Sequence, residues 1–347
     1  MPKVTKHNAT ESRKADHIRI NLENDVQFPR VKTGLERYRF LHEALPELNL
    51  DEIDTTTKFL GKELAAPILI SSMTGGTEIA QAINRKLARA AQAHRIAMGL
   101  GSQRAAIEDC ALSSSFRIRD IAPDILLFAN IGAVQLNYGY GVEQCQKAID
   151  MAGADALILH FNVLQEAVQP EGDVDFSGLL RKVELICASL KAPVIAKEVG
   201  WGFSETAVRG LADAGVSAID VAGSGGTSWS EVEYHRAPSA FHARVARSFV
   251  DWGIPTADAI QIASSAAPDL PIIASGGLRD GIDIAKSLAL GADVAGLASP
   301  FLQAANDTFQ AVDDLIRELR TQLRIAMLCT GSRDIAALKR AELQFIT

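Results

Sequence analysis

The side chains able to do chemistry sit in short polar stretches, most of which close an apolar run. The richest is HFNVLQE, where His160, Asn162, Gln165 and Glu166 offer donors and acceptors beside one carboxylate. A single carboxylate sharing a cation with substrate phosphates is the usual way to hold Mg2+. Each residue alone also reads as an ordinary polar loop contact; four together at one strand end favour a site. SGGLRDG (Ser275 to Gly281) and GLASP (Gly296 to Pro300) have another character. Paired glycines such as Gly276 and Gly277 let backbone N–H groups approach an anion, and a helix starting just beyond adds its positive end. Arg279, one residue after Leu278, can add a charge-assisted contact. The plainer alternative is a tight turn, and the motif does not tell an FMN phosphate from a sugar phosphate.

Lys197, in IAKEVG, closes another run. A lysine pointing into a cavity needs an anion to offset its desolvation. It could form a Schiff base, bind phosphate, or stand beside the edge of a flavin and stabilise its anionic reduced form. A structural salt bridge to Glu198 or Asp220 is the plain alternative. GSQR supplies Ser102, Gln103 and Arg104. The fork of Arg104 matches phosphate oxygens, although Glu108, one helical turn along, is an equally simple partner. SSMTGG brings Ser71, Ser72, Met73 and Thr74, Asn130 lies within a third run, and GSGGTSW offers Thr227. Near the N-terminus Arg13 and Lys14 precede His17; a short basic pair is usually solvated surface.

Eight apolar runs must position these residues. They begin at Ala66, Arg95, Asp124, Ala154, Ala192, Ala218, Leu270 and Asp293. Runs this short and evenly apolar suit parallel strands buried on both faces. Stretches of helical spacing lie between them, among them residues 80–93, 142–152, 179–190 and 282–290. Alternating β and α units imply a parallel sheet, and eight of them imply a closed (β/α)8 TIM barrel in preference to an open doubly wound sheet. In that fold the loops leaving the C-terminal strand ends build the active site, with phosphate bound after strands seven and eight. Residues 1–64 read as a charged, irregular arm or cap over the barrel mouth, anchored by Leu48, Leu50, Phe59 and Leu60. Residues 65–347 read as the barrel, with helices from about Phe301 to the end.

Composition narrows the class. The 347 residues carry 42 acidic and 35 basic side chains, a net charge of −7, which excludes the basic stripe of a nucleic-acid binder. Cys110, Cys145, Cys187 and Cys329 form no C-x-x-C pair, so neither a disulfide framework nor a zinc knuckle is expected. The polar N-terminus lacks a signal-peptide core, and no apolar run approaches the roughly 20 residues that cross a bilayer. These features point to the cytoplasm, with no membrane contact.

Taken in order, RKADH, SSMTGG, GSQR, HFNVLQE, AKEVG, AGSGGTSW, SGGLRDG, GLASPFL and AMLCTG resemble the type 2 isopentenyl-diphosphate isomerases over nearly the whole chain. The resemblance implies FMN held by Ser71, Ser72, Met73, Thr74, Ser102, Asn130, Lys197, Thr227, Gly276, Gly277, Leu278, Arg279, Ala298 and Ser299. It implies substrate held by Arg13, Lys14, Ser102, Gln103, Arg104, His160, Asn162 and Gln165, with Glu166 on Mg2+. The implied reaction interconverts isopentenyl and dimethylallyl diphosphate by proton addition and removal. Reduced FMN takes part with Gln165 as orienting group or shuttle partner, and NADPH serves as the reductant. A homotetramer or homo-octamer is implied as well, the N-terminal arm reaching toward a neighbour. An FMN-dependent 2-hydroxy-acid oxidase shares the barrel and glycine turn, but His235 and His242 lie away from strand ends, where its base would belong. A reductase of the inosinate-dehydrogenase type would need a cysteine in a mouth loop. A non-catalytic flavoprotein leaves the cluster at residues 160–166 unused.

Overall fold

Each apolar run forms a strand. In chain order these are β1 (Ile68–Ile70), β2 (Ala97–Gly99), β3 (Leu127–Gly132), β4 (Ala156–Phe161), β5 (Val194–Glu198), β6 (Ala218–Asp220), β7 (Ile272–Ser275) and β8 (Val294–Leu297). The computed structural model describes residues 6–346, with side chains from Lys14 onward, so the Arg13 side chain lies outside the described residues. All eight strands run parallel and close into a ring, β8 returning to β1 with Ala295 opposite Ile68. Closure excludes the open sheet.

The helices between strands fall where the periodicity places them, and their ends have local causes. Thr77 caps Glu78–His94 by accepting the Ala80 N–H. Val142–Ala152 stops at Gly153, which takes the left-handed conformation. Leu179–Ser189 and Gly281–Ala289 complete the expected set. Their apolar faces pack on the outside of the barrel, where Leu87, Ala88, Val183, Ile260 and Leu288 are fully covered.

Residues 6–64 are more ordered than their composition implies. Lys6–Glu23 is an 18-residue helix, and its residues Lys14, His17, Ile18 and Asn21 lie over the barrel mouth. The helix has a weak amphipathic pattern because it leans on the mouth through a few contacts, so periodicity gives little warning of it. The hairpin Thr57–Phe59 and Lys62–Leu64 goes to the opposite end. Phe59 and Leu64 pack with Leu69, Phe128, Ile158, Ile195 and Ile273 inside the barrel floor. Lys62 Nζ donates to the Ile125 carbonyl at 3.0 Å and to Asp155 Oδ1 at 2.9 Å. One part of the segment therefore covers the top and another plugs the bottom. Leu50 is half-buried against the outer core, and Tyr38–Phe40 pairs with Leu343–Phe345 near the chain's end.

Candidate active site

Strand alternation sets the depth of each side chain. On β4, β5 and β6 the residues Ile158, Ile195 and Ala218 fill the floor. Two residues later on the same inward face come His160, Lys197 and Asp220, which stand side by side in register. Above them opens a cavity of about 460 Å3. Its wall includes Gln165, Lys197 and Gly277, drawn from three different strand ends.

On one side lies the cluster from HFNVLQE. Asn162 Nδ2 donates to Glu166 Oε1 at 2.8 Å and Gln165 Oε1 at 3.2 Å, while the buried Asn162 Oδ1 has no partner. The other Glu166 oxygen accepts the Asp173 N–H at 2.8 Å. Gln165 Nε2 lies 3.4 Å from Glu233 Oε1, so both ends of the amide are oriented. Glu233 also pairs with His17 at 3.0 Å and Arg236 at 2.6 Å. Burial alone would raise the Glu233 carboxyl, but His17 and Arg236 outweigh it and hold it below the ordinary range. His160 Nδ1 meets Asn130 Oδ1 at 2.7 Å.

The opposite side is a cradle of backbone. Gly276 and Gly277 have φ of 107° and 80°. A Cβ on Gly276 would lie 2.1 Å from the Gly223 carbonyl oxygen, and one on Gly277 would lie 2.6 Å from that of Gly225. Only glycine lets the loops after β6 and β7 meet this closely. The helix following them does not present a free N-terminus. Asp280 accepts the Ile282 and Asp283 N–H groups, and burial together with Asp280 pushes the Asp283 carboxyl up to about 6. The open helix end is the next one: Ser299–Asp307 starts after Ala298 with no side-chain cap and with Ser299 and Pro300 on the cavity wall. An anion bound here would therefore meet an open helix end after β8, whereas acidic residues occupy the one after β7. Arg279 is exposed and donates to Gln27 Oε1 at 2.8 Å, at the rim.

These features fit a phosphorylated flavin. The Ser71 and Ser72 hydroxyls are buried at the cavity wall without hydrogen-bond partners, which is costly unless a ligand satisfies them. Met73, Thr74, Ser102, Thr227 and Leu278 line the same space. Lys197 enters from below, donating to the Glu198 carbonyl at 2.9 Å with Asp220 at 3.3 Å. The Glu198 carboxylate turns away to accept the N–H groups of Val199, Gly200 and Trp201. Burial nevertheless pushes its carboxyl up to about 7. Among the described residues no three His, Cys, Asp or Glu side chains converge for a metal. Glu166, a carboxylate on the cavity wall, would suit Mg2+ if substrate phosphates supplied the other oxygens.

Two expected contacts look different. Gln103 is fully buried and absent from the cavity wall. Its Nε2 donates to the Ala148 carbonyl and its Oε1 accepts the Asn130 N–H, both at 2.9 Å. It braces β3 from behind because its side chain turns under the loop that Ser102 exposes. Arg104 lines the cavity but holds Glu108 at 3.0 Å and Asp173 at 2.6 Å, so an incoming anion must share or displace these carboxylates. Lys14 reaches the mouth from the N-terminal helix, donating to the Ser102 carbonyl at 2.9 Å. His17, Trp229 and Glu233 were assigned no role from sequence. His17 stacks edge-on to Trp229, with centroids 5.2 Å apart; both line the cavity, with Glu233 behind them. His17, next to RKAD, offered a signal; Glu233, inside a helix of the loop after β6, offered none.

The class of protein that this barrel and cradle define is the FMN-dependent dehydrogenase family, whose sequence pattern matches residues 7–119 and 150–345. Mandelate oxidase shares the fold, with a TM-score of 0.67 at 20% identity over 97% of this chain and 99% of that one. Among curated proteins, the isopentenyl-diphosphate delta-isomerase of Nostoc sp. is 56% identical, covering 98% of this chain and 97% of its own. The enzymes of that name from Synechococcus sp. and Rickettsia bellii are each 53% identical, over 97% and 96% of this chain and 97% of theirs. The chain belongs to the FMN-dependent dehydrogenase family and, within it, to the isopentenyl-diphosphate delta-isomerases. The two histidines that the oxidase alternative looked to, His235 and His242, sit on helices and line no part of the cavity.

Proposed function

We propose that this protein interconverts isopentenyl diphosphate and dimethylallyl diphosphate, with reduced FMN and Mg2+ bound and NADPH as reductant. The observation that carries the proposal is a single cavity with an oriented amide and a lone carboxylate on one wall, and a glycine cradle with a buried lysine on the other. The first wall suits a diphosphate with its cation, and the second suits a flavin. The identity to named isomerases over nearly the full chain supports the same reading.

Reduced FMN, when bound, supplies a site that can donate and accept a proton and stabilise positive charge at the alkene, without net redox change. The protein does the rest. The Gly276–Gly277 turn, Leu278, Arg279, Ala298 and Ser299 would hold the flavin phosphate, and Ser71, Ser72, Met73, Thr74, Ser102, Asn130 and Thr227 the remainder of the cofactor. Lys197 brings the buried positive charge that a reduced, anionic flavin requires. Arg13, Lys14, Ser102 and Arg104 would grip the diphosphate, and Glu166 would share the Mg2+ with it. His160 and Asn162 would line the substrate pocket. Gln103 acts at one remove, fixing the backbone of Asn130. Gln165 cannot be a strong acid; held between Asn162 and Glu233, it would orient the alkene end or relay a proton toward the Glu233 carboxylate. We assign residues 1–64 to an arm and cap, residues 65–347 to the catalytic barrel, the compartment to the cytoplasm, and the assembly to a homotetramer or homo-octamer. No described helix is long and apolar enough to cross a membrane.

The test is direct. The purified protein should show the visible spectrum of bound flavin and, after anaerobic dithionite reduction with Mg2+, should convert isopentenyl diphosphate to dimethylallyl diphosphate. Bound, reduced flavin without turnover would favour a non-catalytic flavoprotein and refute the proposal.

A further inference from the structure

Behind Lys197 lies a carboxylate that the reading above leaves without a role. Asp220 is 0% exposed and is not part of the cavity wall. Its Oδ1 accepts the Ser275 hydroxyl at 2.5 Å. No hydrogen-bond donor is aligned on its Oδ2, which instead faces Lys197 Nζ at 3.3 Å. Lys197 and Ser275 both line the cavity, so Asp220 touches it only through them. A fully buried carboxylate is costly unless opposed by a cation, and Lys197 is the cation set against it.

The strand geometry sets this pairing up. Lys197 and Asp220 are register partners on β5 and β6, inward-facing on the same row. Ser275 ends β7, the strand that leads into the glycine turn. One carboxylate therefore joins the lysine to the base of the cradle.

We infer that Asp220 is a positioning residue that sets how much of the Lys197 charge the bound flavin feels. The inference rests on the assignment of Lys197 to the flavin. A lysine without a counter-charge would favour the anionic reduced cofactor strongly; the adjacent carboxylate cancels part of that field. Ser275 in turn spreads the carboxylate's charge by donating to it.

The measurement is the two-electron midpoint potential of FMN bound to the full-length protein, followed by spectroelectrochemistry. Lys197→Met should lower the preference for reduced over oxidised flavin at least tenfold. Asp220→Asn, which keeps the shape and removes the charge, should raise it at least tenfold. For a two-electron couple each tenfold change is about 30 mV. The double variant, with neither charge, should fall between the two single variants and somewhat below the parent, because the carboxylate cancels only part of the lysine's field. Should Asp220→Asn fail to fold, Ser275→Ala provides the second arm: with less of its charge dispersed, the carboxylate should oppose Lys197 more, and the preference should fall about threefold.

A shift in Lys197→Met with none in Asp220→Asn would leave Lys197 at the flavin and overturn the role of Asp220. Parental potentials in both would overturn the inference together with the placement of Lys197. A purely structural Asp220 would change stability or flavin content and leave the potential of the flavin that still binds unmoved, and that result too would overturn the inference.

Discussion

Adding one methyl group at Gly277 tests the cradle most sharply. The residue sits at φ 80°, and its new Cβ would stand 2.6 Å from the carbonyl carbon and oxygen of Gly225 and 2.7 Å from the Gly226 nitrogen. All three are backbone atoms, so no flexible side chain can give way. Two costs follow. The left-handed backbone costs about 1–3 kcal/mol for a non-glycine residue, and the loops after β6 and β7 must move apart. Separation misaligns N–H groups that would meet the flavin phosphate, and one hydrogen bond to a charged group contributes about 1.5–3 kcal/mol. The expected loss of FMN affinity is therefore about 10- to 150-fold. Gly139→Ala is the matched control: its φ is 91°, but nothing lies within 4 Å of the added carbon. It should lower stability through the backbone term and leave FMN binding alone. Quenching of FMN fluorescence on titration into flavin-free protein measures affinity, and thermal unfolding of the same samples measures stability. Gly277→Ala with parental FMN affinity would refute the cradle, and equal affinity losses in both variants would refute the contact argument.

Three other outcomes are expected. Gln165→Ala should lower kcat by about 100-fold or more, the scale of a lost proton-handling group, with the bound-flavin spectrum unchanged; parental turnover would exclude Gln165 from the reaction. Glu166→Gln should raise the Mg2+ concentration for half-maximal activity by about 10- to 100-fold, and an unchanged Mg2+ titration would place the ion elsewhere. Asp155 governs an acid-sensitive contact: burial would raise its carboxyl, but the Leu127 N–H, Lys62 and Arg119 together outweigh burial and hold it low. Its folded pKa lies below the unfolded value of about 3.9, so its stabilisation is complete above that pH and is lost as pH falls through the folded value. The Tm gap between the parent and Asp155→Asn should close in acid, and a gap constant down to about pH 3 would refute the linkage.

The barrel was legible because its strands are largely buried on both faces and write their positions as short, mostly apolar runs. Lys197, Gly277 and Gln165 were legible as partners because the fold brings all such run ends to one rim. The hairpin was not, since only Phe59 and Leu64 of its residues are well buried and either end of the barrel could have accepted them. Gln103 shows a subtler limit: neighbours along a loop point in different directions, and Ser102 faces the cavity while Gln103 turns to Ala148. Glu233 escaped because it lies on a helix in the long excursion after β6. Asp220 was legible as an ion-pair partner of Lys197, and the structure places it there, but its link to Ser275 was not legible.

The plugged floor has a consequence for the order of events. With Phe59 and Leu64 sealing the far end against Phe128 and Ile195, whatever enters must also leave through the side that the N-terminal helix overhangs. A flavin seated on Lys197 would occupy the inner berth and a diphosphate between Lys14 and Arg104 the outer one, so the two load like passengers through a single door. On that placement the cofactor would board before the substrate and could not disembark until the substrate had gone.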